Sequence, residues 1–205
     1  MGKKDTKHII LEEALSLFAI NGYEGVTVAD IANAVGIKGP SLYKHYKSKQ
    51  DIFDAILVKM EERYKEQAAF MQMNGMEADK DMELFLNINE EQLIEIGKGL
   101  FLYFLHDEYA LKFRRMLTIG QYRNQKMSAL YAEQYVDAPL SYQGMLFHFF
   151  SEAGIIKENP HIMALHFYAP IYLLLVLCDC HPEREGEALS TMEQHIRQFM
   201  DALII

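Results

Sequence analysis

The sequence predicts an all-α protein, and three features of the chain lead to this prediction. Strand-forming residues are scarce, since valine occurs six times and threonine four times among 205 residues. Runs of alternating apolar and polar residues are missing, whereas apolar residues recur at i, i+3 and i+4 along most of the chain. Four of the five prolines fall at predicted helix starts or in breaks between helices.

Composition limits the class of protein further. Half of the residues are apolar, so a chain of this length buries enough surface to fold without metals or disulfides. The two cysteines, Cys178 and Cys180, are too close in sequence for a useful disulfide and suit a reducing compartment. The first residues are charged, and Glu12 and Glu13 follow, which is unlike a secretory signal. We therefore expect a cytoplasmic protein with its own apolar core.

The first two predicted helices both end at glycines. Helix one covers about residues 6–20 and stops at Gly22, which tolerates a left-handed backbone. Helix two follows Thr27, whose side chain is placed to form a capping box with Asp30. The apolar residues of helix two are spaced to form one buried face, and Gly36 ends it. Helix two is therefore predicted to be short and amphipathic.

The third predicted helix begins only a few residues later. Pro40 is suited to a first helical turn and starts a helix over about 40–46. Ser48 and Asp51 form a second capping box, which opens a long fourth helix to about residue 73. An acidic stretch follows, and we place the domain boundary in this part of the chain. The remaining predicted helices cover residues 81–105, 107–119, 126–136, 139–153, 161–178 and 186–204.

Charge is distributed unevenly along the chain. The net charge is −9, but residues 1–50 hold seven lysines against five acids, a net of +2, which leaves −11 for the remainder. Residues 31–50 contain four lysines and His45 and no acidic residue. A positive patch at one end of an acidic chain is a local feature suited to nucleic acid. The alternative is a lysine-rich turn that is only solvated.

Helices two and three, joined by a four-residue turn with glycines, have the form of a helix-turn-helix. In that motif the second helix enters the major groove and the first lies across the DNA backbone. The third helix needs only Leu42 and Tyr46 for its buried contacts, and its other side chains are long and polar or cationic. Because so short a helix is unstable alone, we expect helices one and two to hold it and present it outward.

Residues from about 7 to 56 resemble the N-terminal domain of the TetR family of transcriptional regulators. The resemblance covers roughly the first quarter of the chain, and its length and regular spacing make it more specific than a short motif. Beyond it only length and helical content agree. The matching residues are Ala14, Phe18, Gly22, Tyr23, Thr27, Val28, Ile31, Ala32, Val35, Gly36, Ile37, Ser41, Leu42, Tyr43, His45, Tyr46, Lys49 and Ile52.

The resemblance implies a set of DNA contacts. Thr27 would donate to a phosphate and Lys49 would contact the DNA backbone, while the recognition helix would contact phosphate, sugar or base edges. Lys38 stands where a small hydroxyl residue is common in the family, and Pro40 removes a backbone N–H. Both departures bear on base preference and leave groove docking unchanged. The implied DNA-binding residues are Thr27, Lys38, Gly39, Pro40, Ser41, Tyr43, Lys44, His45 and Lys49.

The resemblance also implies an architecture. A DNA-binding domain at 4–64 would be linked by the long fourth helix to a helical ligand-binding and dimerisation domain at 65–205. Two copies would pair through their last two helices and bind a pseudo-palindromic operator, with their recognition helices about 34 Å apart. We expect a repressor released by a small, apolar or aromatic ligand. The alternative is a DNA-binding regulator that responds to a protein partner or to no small molecule.

Aromatic and methionine side chains are dense in the second predicted domain. The ordinary interpretation of any one of them is a core residue, but adaptable walls of this kind also suit an apolar ligand. A ligand cavity is what the resemblance implies, and no spacing demonstrates it. The candidate ligand-binding residues are Phe104, Phe113, Met116, Tyr142, His148, His166 and Tyr172, of which the histidines and Tyr172 are candidate polar anchors.

One apolar run raises the question of a membrane span. Residues 162–178 carry no formal charge. A membrane span needs about 20 residues, and this shorter run contains His166 and Pro170. We therefore expect a helix that is buried on all sides, and no membrane partner.

Metal, cofactor and enzyme chemistry find little support. The four residues from Cys178 to His181 cannot enclose a tetrahedral ion without outside ligands. The segment Gly97–Lys98–Gly99 is too short for a phosphate loop and lacks a preceding strand. No serine or cysteine is paired with a base at a recognisable spacing. We therefore predict no metal, no cofactor and no catalytic residue.

Overall fold

The structure is a computed structural model that describes residues 5–203, and every regular element in that range is helical. The predicted all-α class is confirmed. The outer domain bounds at 4 and 205 and the last helix end at 204 lie outside the described residues. The elements are α1 (Thr6–Asn21), α2 (Val28–Val35), α3 (Gly39–Leu42), α4 (Lys49–Phe70), α5 (Ala78–Asn87), α6 (Glu90–His106), α7 (Glu108–Gly120), α8 (Gln125–Ala132), a π-helical turn (Glu133–Asp137), α9 (Ala138–Glu152), α10 (Pro160–Cys180), a 3-10 turn (Pro182–Arg184) and α11 (Glu185–Leu203).

The helices group into two compact units. The first comprises the chain up to Tyr64 together with Glu108–Ala132, and the second comprises Lys65–Asp107 and the chain from Glu133 onward. One division between the units falls after Tyr64, and α7 and α8 group with the N-terminal helices because α7 packs along α1. The assignment of a DNA-binding and a ligand-binding domain stays a prediction.

Aromatic side chains fill the core of the first unit. Phe18 of α1, Phe53 of α4 and Phe113 of α7 are almost completely buried. The hydroxyl of Tyr109 in α7 donates to the carbonyl oxygen of Ile56 in α4 at 3.2 Å. Burial raises the pKa of Tyr109 above its ordinary value, so the phenol stays neutral and keeps this donor. The first unit is thus closed by a hydrogen bond as well as by apolar packing.

The core of the second unit lies between α6, α10 and α11. Two glycines let α6 pack closely: a Cβ built at Gly97 would lie 3.0 Å from Ile196 Cδ1, and one at Gly99 would lie 2.5 Å from Met71 Cε. The absence of a Cβ at Gly97 and Gly99 thus leaves room for the ends of the Ile196 and Met71 side chains. The buried residues of this core are Ile94, Phe101, Leu175, Cys178, Ala188, Met192 and Ile196.

The predicted single helix over 81–105 is wrong, because the chain forms two helices there. α5 ends at Asn87 and α6 begins at Glu90. The side chain of Asn89 accepts from the backbone N–H of Gln92 at 2.9 Å, and the Gln92 side chain accepts from the Asn89 N–H at 3.0 Å. This is a further capping box, and its Asn-x-x-Gln pattern is present in the sequence.

A tyrosine side chain replaces the backbone hydrogen bond that is missing because of a proline at the start of α9. Pro139 lies in the first turn of α9 and lacks the N–H that a regular α-helix would direct at the carbonyl of Tyr135. The hydroxyl of Tyr168 in α10 donates to that carbonyl at 2.9 Å. The backbone acceptor is thus satisfied, and the π-helical turn is tied to α10.

The apolar run in α10 is not buried on all sides, so that expectation is wrong. One face packs in the core of the second unit, whereas Leu173 on the other face is 67% exposed. The exposed residues form a single stripe because they are three, eight and three positions apart. No side chain among residues 5–203 covers this stripe. Its residues are Ile162, Leu165, Leu173 and Val176.

By length and composition alone, α10 is also a helix that could cross a membrane. Its packing against α6, α9 and α11 is that of a core helix in a helical domain. Met163, Ala164, Leu175 and Cys178 of α10 are buried in these contacts.

Candidate nucleic-acid interface

The capping box predicted at the start of α2 is confirmed. The backbone N–H of Asp30 donates to Thr27 Oγ1 at 3.2 Å, and the N–H of Thr27 donates to Asp30 Oδ2 at 2.8 Å. The Thr27 hydroxyl also donates to Asp30 Oδ2, at 2.7 Å. These hydrogen bonds lower the pKa of Asp30, so a fixed negative charge lies beside Thr27.

The turn between α2 and α3 depends on Gly36. Its φ of +75° is a left-handed conformation that side chains with a Cβ rarely adopt. The N–H of Ile37 donates to the carbonyl of Ala32 at 2.9 Å, which satisfies an open acceptor at the end of α2. The chain therefore reverses direction within a few residues, as a helix-turn-helix requires.

α3 is shorter than the predicted helix over 40–46. Regular helix ends at Leu42, and residues 43–45 form successive turns in which the N–H of His45 donates to the Leu42 carbonyl at 2.9 Å. Leu42 is 0% exposed and Tyr46 is 2% exposed, so these two residues anchor the segment as predicted. The segment from Leu42 to Tyr46 is thus held by packing at each end.

The side chains between these anchors point to solvent. Tyr43 is 53% exposed, and Lys44 and His45 are also exposed. Lys38 and Pro40 are exposed at the entry to α3, while Gly39 and Ser41 are partly exposed. The structure therefore brings these predicted residues together on one short, outward segment. Their contacts with DNA stay a prediction.

Two other predicted DNA contacts are already engaged inside the protein. The ammonium of Lys49 donates to the carbonyl oxygens of Tyr23 and Val26, at 2.9 Å each, and lies 4.2 Å from the centroid of the Tyr23 ring. The hydroxyl proton of Thr27, predicted to bond to a phosphate, is donated to Asp30. A phosphate that accepts from the Thr27 hydroxyl would have to displace this bond, and a phosphate at Lys49 would find only one N–H left.

Lys7 and Tyr46 form a contact that the sequence did not indicate. The Tyr46 hydroxyl donates to the Lys7 carbonyl at 3.4 Å, and the Lys7 ammonium lies 5.2 Å from the Tyr46 ring centroid. Burial, with Asp51 and Asp5 nearby, raises the pKa of Tyr46 to about 12. This contact ties the start of α1 to the segment after α3 and adds a cation to the same unit.

The structure does not bring the seven candidate ligand-binding residues together in one unit. Phe113 and Met116 are buried in the core of the first unit, and the other five belong to the second. His148 is exposed, with Nε2 3.5 Å from a carboxylate oxygen of Glu152, and His166 is also exposed. Their role as ligand anchors stays a prediction.

Phe104, Tyr142 and Tyr172 are partly buried in the second unit. The ring of Phe104 packs edge-on against that of Tyr135, with centroids 6.5 Å apart. The ring centroid of Tyr172 lies 6.0 Å from that of Tyr168. These aromatic side chains lie on α6, α9, α10 and the π-helical turn, and we call them the aromatic region of the second unit.

Asp81 is a buried carboxylate that sequence reasoning missed. It is 3% exposed and accepts from the backbone N–H groups of Asn74 and Gly75, at 2.7 Å each. The hydroxyl of Tyr142 donates to it at 2.6 Å. The Tyr142 hydroxyl, predicted to be near a ligand, thus has a structural partner that ties α9 to α5.

Comparison with known proteins gives a family match in the first unit. Residues 10–56 match the family described as bacterial regulatory proteins, tetR family. The negative transcriptional regulator of the biofilm operon icaADBC, IcaR, of Staphylococcus aureus strain Newman is 46% identical over 48 residues, 23% of this chain and 26% of the relative. The IcaR protein of Staphylococcus epidermidis is 45% identical over 47 residues, 23% and 25% respectively. The chain thus spans about a quarter of the length of these curated relatives.

Solved structures match nearly the whole chain. A TetR-family regulator from Mesorhizobium loti has a TM-score of 0.66 at 18% identity and covers 96% of each chain. SmeT, the repressor of a Stenotrophomonas maltophilia multidrug efflux pump, has a TM-score of 0.63 at 17% identity over 97% of this chain and 90% of SmeT. A regulator from Saccharomonospora viridis in complex with choline has a TM-score of 0.63 at 20% identity over 97% of each chain. At these identities the likeness concerns the fold.

The family match over residues 10–56 and the fold shared with solved regulators confirm the resemblance seen in the sequence. The N-terminal helix-turn-helix of this chain, over residues 10–56, is thus of the TetR type.

Proposed function

We propose that this protein is a transcriptional repressor that binds double-stranded DNA as a homodimer. The observation that carries the proposal is the outward segment Tyr43–His45, where an aromatic, a cationic and an imidazole side chain face solvent between two buried anchors. Such groups contact phosphates, sugars and base edges in a major groove. Because one segment reaches only a few base pairs, two copies are needed for a specific site, which makes the operator a pseudo-palindrome.

The exposed stripe of α10 supports the dimer. A row of apolar side chains along one helix face is suited to pairing with the same row of a second copy across a two-fold axis. The outer face of α11 is polar, with Glu187, Gln194 and Gln198 exposed. The interface through the two C-terminal helices is therefore centred on α10, with α11 beside it.

The aromatic region of the second unit supports a small-molecule effector. Among the proteins of the same fold, one is described as flavonoid-responsive and one as a complex with choline. Aromatic walls suit apolar or aromatic molecules and organic cations. An effector that couples to DNA binding by about 1–3 kcal/mol would weaken operator affinity about 5–150-fold.

Fluorescence anisotropy with the DNA next to the protein's own gene tests the proposal. The wild type is expected to bind this duplex at low salt, and the variant Tyr43→Ala, Lys44→Ala is expected to lose binding while it stays folded and dimeric. The matched control is Tyr122→Ala, Lys157→Ala, which removes an exposed tyrosine and an exposed lysine from other elements. The assignment of Tyr43 and Lys44 to the DNA-binding surface would be contradicted if the control variant lost binding. It would also be contradicted if the Tyr43→Ala, Lys44→Ala variant kept wild-type binding.

Release from DNA separates the effector proposal from its alternative. A set of flavonoids, other planar aromatics and quaternary ammonium compounds is added to the preformed complex. A concentration-dependent fall in anisotropy supports a small-molecule effector. Unchanged binding with all of them favours a regulator that answers to a protein partner or to no small molecule.

A further inference from the structure

Lys49 is the first residue of α4, and its charged group is directed into the protein. An ammonium has three N–H donors. Two of them are donated to the carbonyls of Tyr23 and Val26, and the Tyr23 ring lies close to the charge. The side chain is partly buried, and these partners fix its position. Most of the binding capacity of Lys49 is therefore used before any DNA arrives.

What Lys49 holds is the turn between α1 and α2. Val26 is buried and directly precedes Thr27, the N-cap of α2. The Tyr23 ring packs between Phe18 of α1 and Phe53 of α4, with centroid distances of 5.3 Å and 5.1 Å. A cation shared by two carbonyls closes this turn against the start of α4. The position at which α2 begins, and with it the helix-turn-helix, depends on that closure.

We propose that Lys49 is a positioning residue of the DNA-binding surface and does not supply a phosphate contact. The proposal rests on the proposed DNA-binding function. Lys44 provides the contrast, because its side chain is exposed and its ammonium makes no hydrogen bond or ion pair with any residue in 5–203. Lys44 is free to neutralise a phosphate with all three N–H donors, whereas Lys49 has only one N–H left beside its two carbonyl bonds.

The salt dependence of binding distinguishes the two roles. A lysine that neutralises a phosphate releases counterions, so its loss makes the plot of log K against log salt shallower by about 0.9 per contact. A positioning residue changes the fraction of correctly shaped binding surface. Its loss weakens binding equally at all salt concentrations, which shifts the plot without changing its slope.

The experiment compares the wild type with Lys44→Met and Lys49→Met, which remove one charge each and keep a similar stem. Fluorescence anisotropy with a labelled random-sequence duplex is measured over a series of salt concentrations. Lys44→Met is expected to reduce the slope by about 0.9 for each bound recognition helix. Lys49→Met is expected to keep the wild-type slope, to bind several-fold more weakly throughout, and to lower the unfolding midpoint by about 5 °C.

Two results separate the inference from the function on which it rests. A wild type that does not bind the duplex even at low salt contradicts the proposed function. A wild type that binds, together with a Lys49→Met variant that has the reduced slope of Lys44→Met and an unchanged midpoint, overturns the positioning role alone.

A second measurement uses the wild type, so it holds even if Lys49→Met does not fold. The lysine side-chain nitrogens are labelled with 15N and observed by NMR. The ammonium signal of Lys49 is expected to show slow hydrogen exchange in the free protein and to keep its shift when the duplex is added, while that of Lys44 moves. A change for Lys49 as large as that for Lys44 would overturn the proposal.

Discussion

At Thr27 both the hydroxyl and the backbone N–H donate to one carboxylate oxygen of Asp30. A phosphate at this position would compete with that carboxylate for the same donors and would meet its negative charge. The resemblance to the family predicts a phosphate contact for Thr27. In this protein Asp30, three residues later in the sequence, already accepts from both donors of Thr27. The same holds for Lys49, whose carbonyl partners lie 23 and 26 residues earlier and could not be found from local spacing.

The Thr27–Asp30 network predicts a pH dependence. The folded-state pKa of Asp30 is lowered by its hydrogen bonds to Thr27, so its stabilising effect is present above the ordinary aspartate pKa and is lost as the pH falls through the folded value. Asp30→Ala is therefore expected to lower the unfolding midpoint at pH 7, and its difference from the wild type is expected to shrink as the pH falls below the ordinary aspartate pKa. Thermal unfolding of both proteins across this range tests the prediction. An equal difference at every pH would contradict it.

The buried hydroxyl of Tyr109 gives a prediction about a hydrogen bond between two uncharged groups. Tyr109→Phe removes the donor to the Ile56 carbonyl and keeps the ring, so it is expected to cost about 1 kcal/mol in the free energy of unfolding. Tyr122→Phe is the control, because Tyr122 is 87% exposed, and it is expected to be neutral. Urea unfolding measures both. Equal stability of the two variants would show that the hydroxyl of Tyr109 contributes nothing.

At the scale of elements, helix ends were predictable where the signal is local. The Thr27–Asp30 box, the stop at Gly36 and the start of α4 after Ser48 all depend on residues within four positions of each other. The segment after Leu42 was not predictable, because the buried anchors at its two ends, and not helix propensity, determine its shape. The break before α6 had a local signal in Asn89, which a continuous apolar pattern concealed.

The contact between α7 and α8 gives a prediction at this scale. A Cβ at Gly120 would lie 2.8 Å from Cγ and 2.9 Å from Cβ of Met127, too near that side chain's root for it to rotate away. Gly120→Ala is therefore expected to destabilise the protein by about 1–2 kcal/mol, even after the gain in helix propensity. Gly186→Ala is the control, since nothing lies within 4 Å of its built Cβ. Thermal unfolding should show a loss for the first variant only.

For the whole molecule, the sequence predicted the helical class and the helix-turn-helix but not which helices share a core. α7 packs along α1, across a long separation in sequence, and no periodicity in α7 indicates which helix it meets. The same limit explains why Phe113 and Met116 were grouped with candidate ligand residues of the other unit. The free face of α10 was missed because a uniformly apolar run does not show which of its sides remains uncovered.

The stripe on α10 predicts how the molecule associates. Leu173→Glu places a charge on the most exposed residue of the stripe, and two-fold pairing of the stripes would bury that charge in both copies. The variant is expected to be a folded monomer by sedimentation velocity, with greatly weakened operator binding. Ile20→Glu is the control, because Ile20 is 75% exposed on α1, and it is expected to remain a dimer. A dimeric Leu173→Glu protein would contradict the proposed interface.

DNase footprinting on the DNA beside the protein's own gene tests most directly whether the segment Tyr43–His45 reads a DNA groove. The wild type is expected to protect one pseudo-palindromic site, with its half-sites about one helical turn, or a multiple of it, apart. The Tyr43→Ala, Lys44→Ala variant is expected to protect nothing at the same concentration. Protection by that variant, or no protected site for the wild type at low salt, would contradict the account.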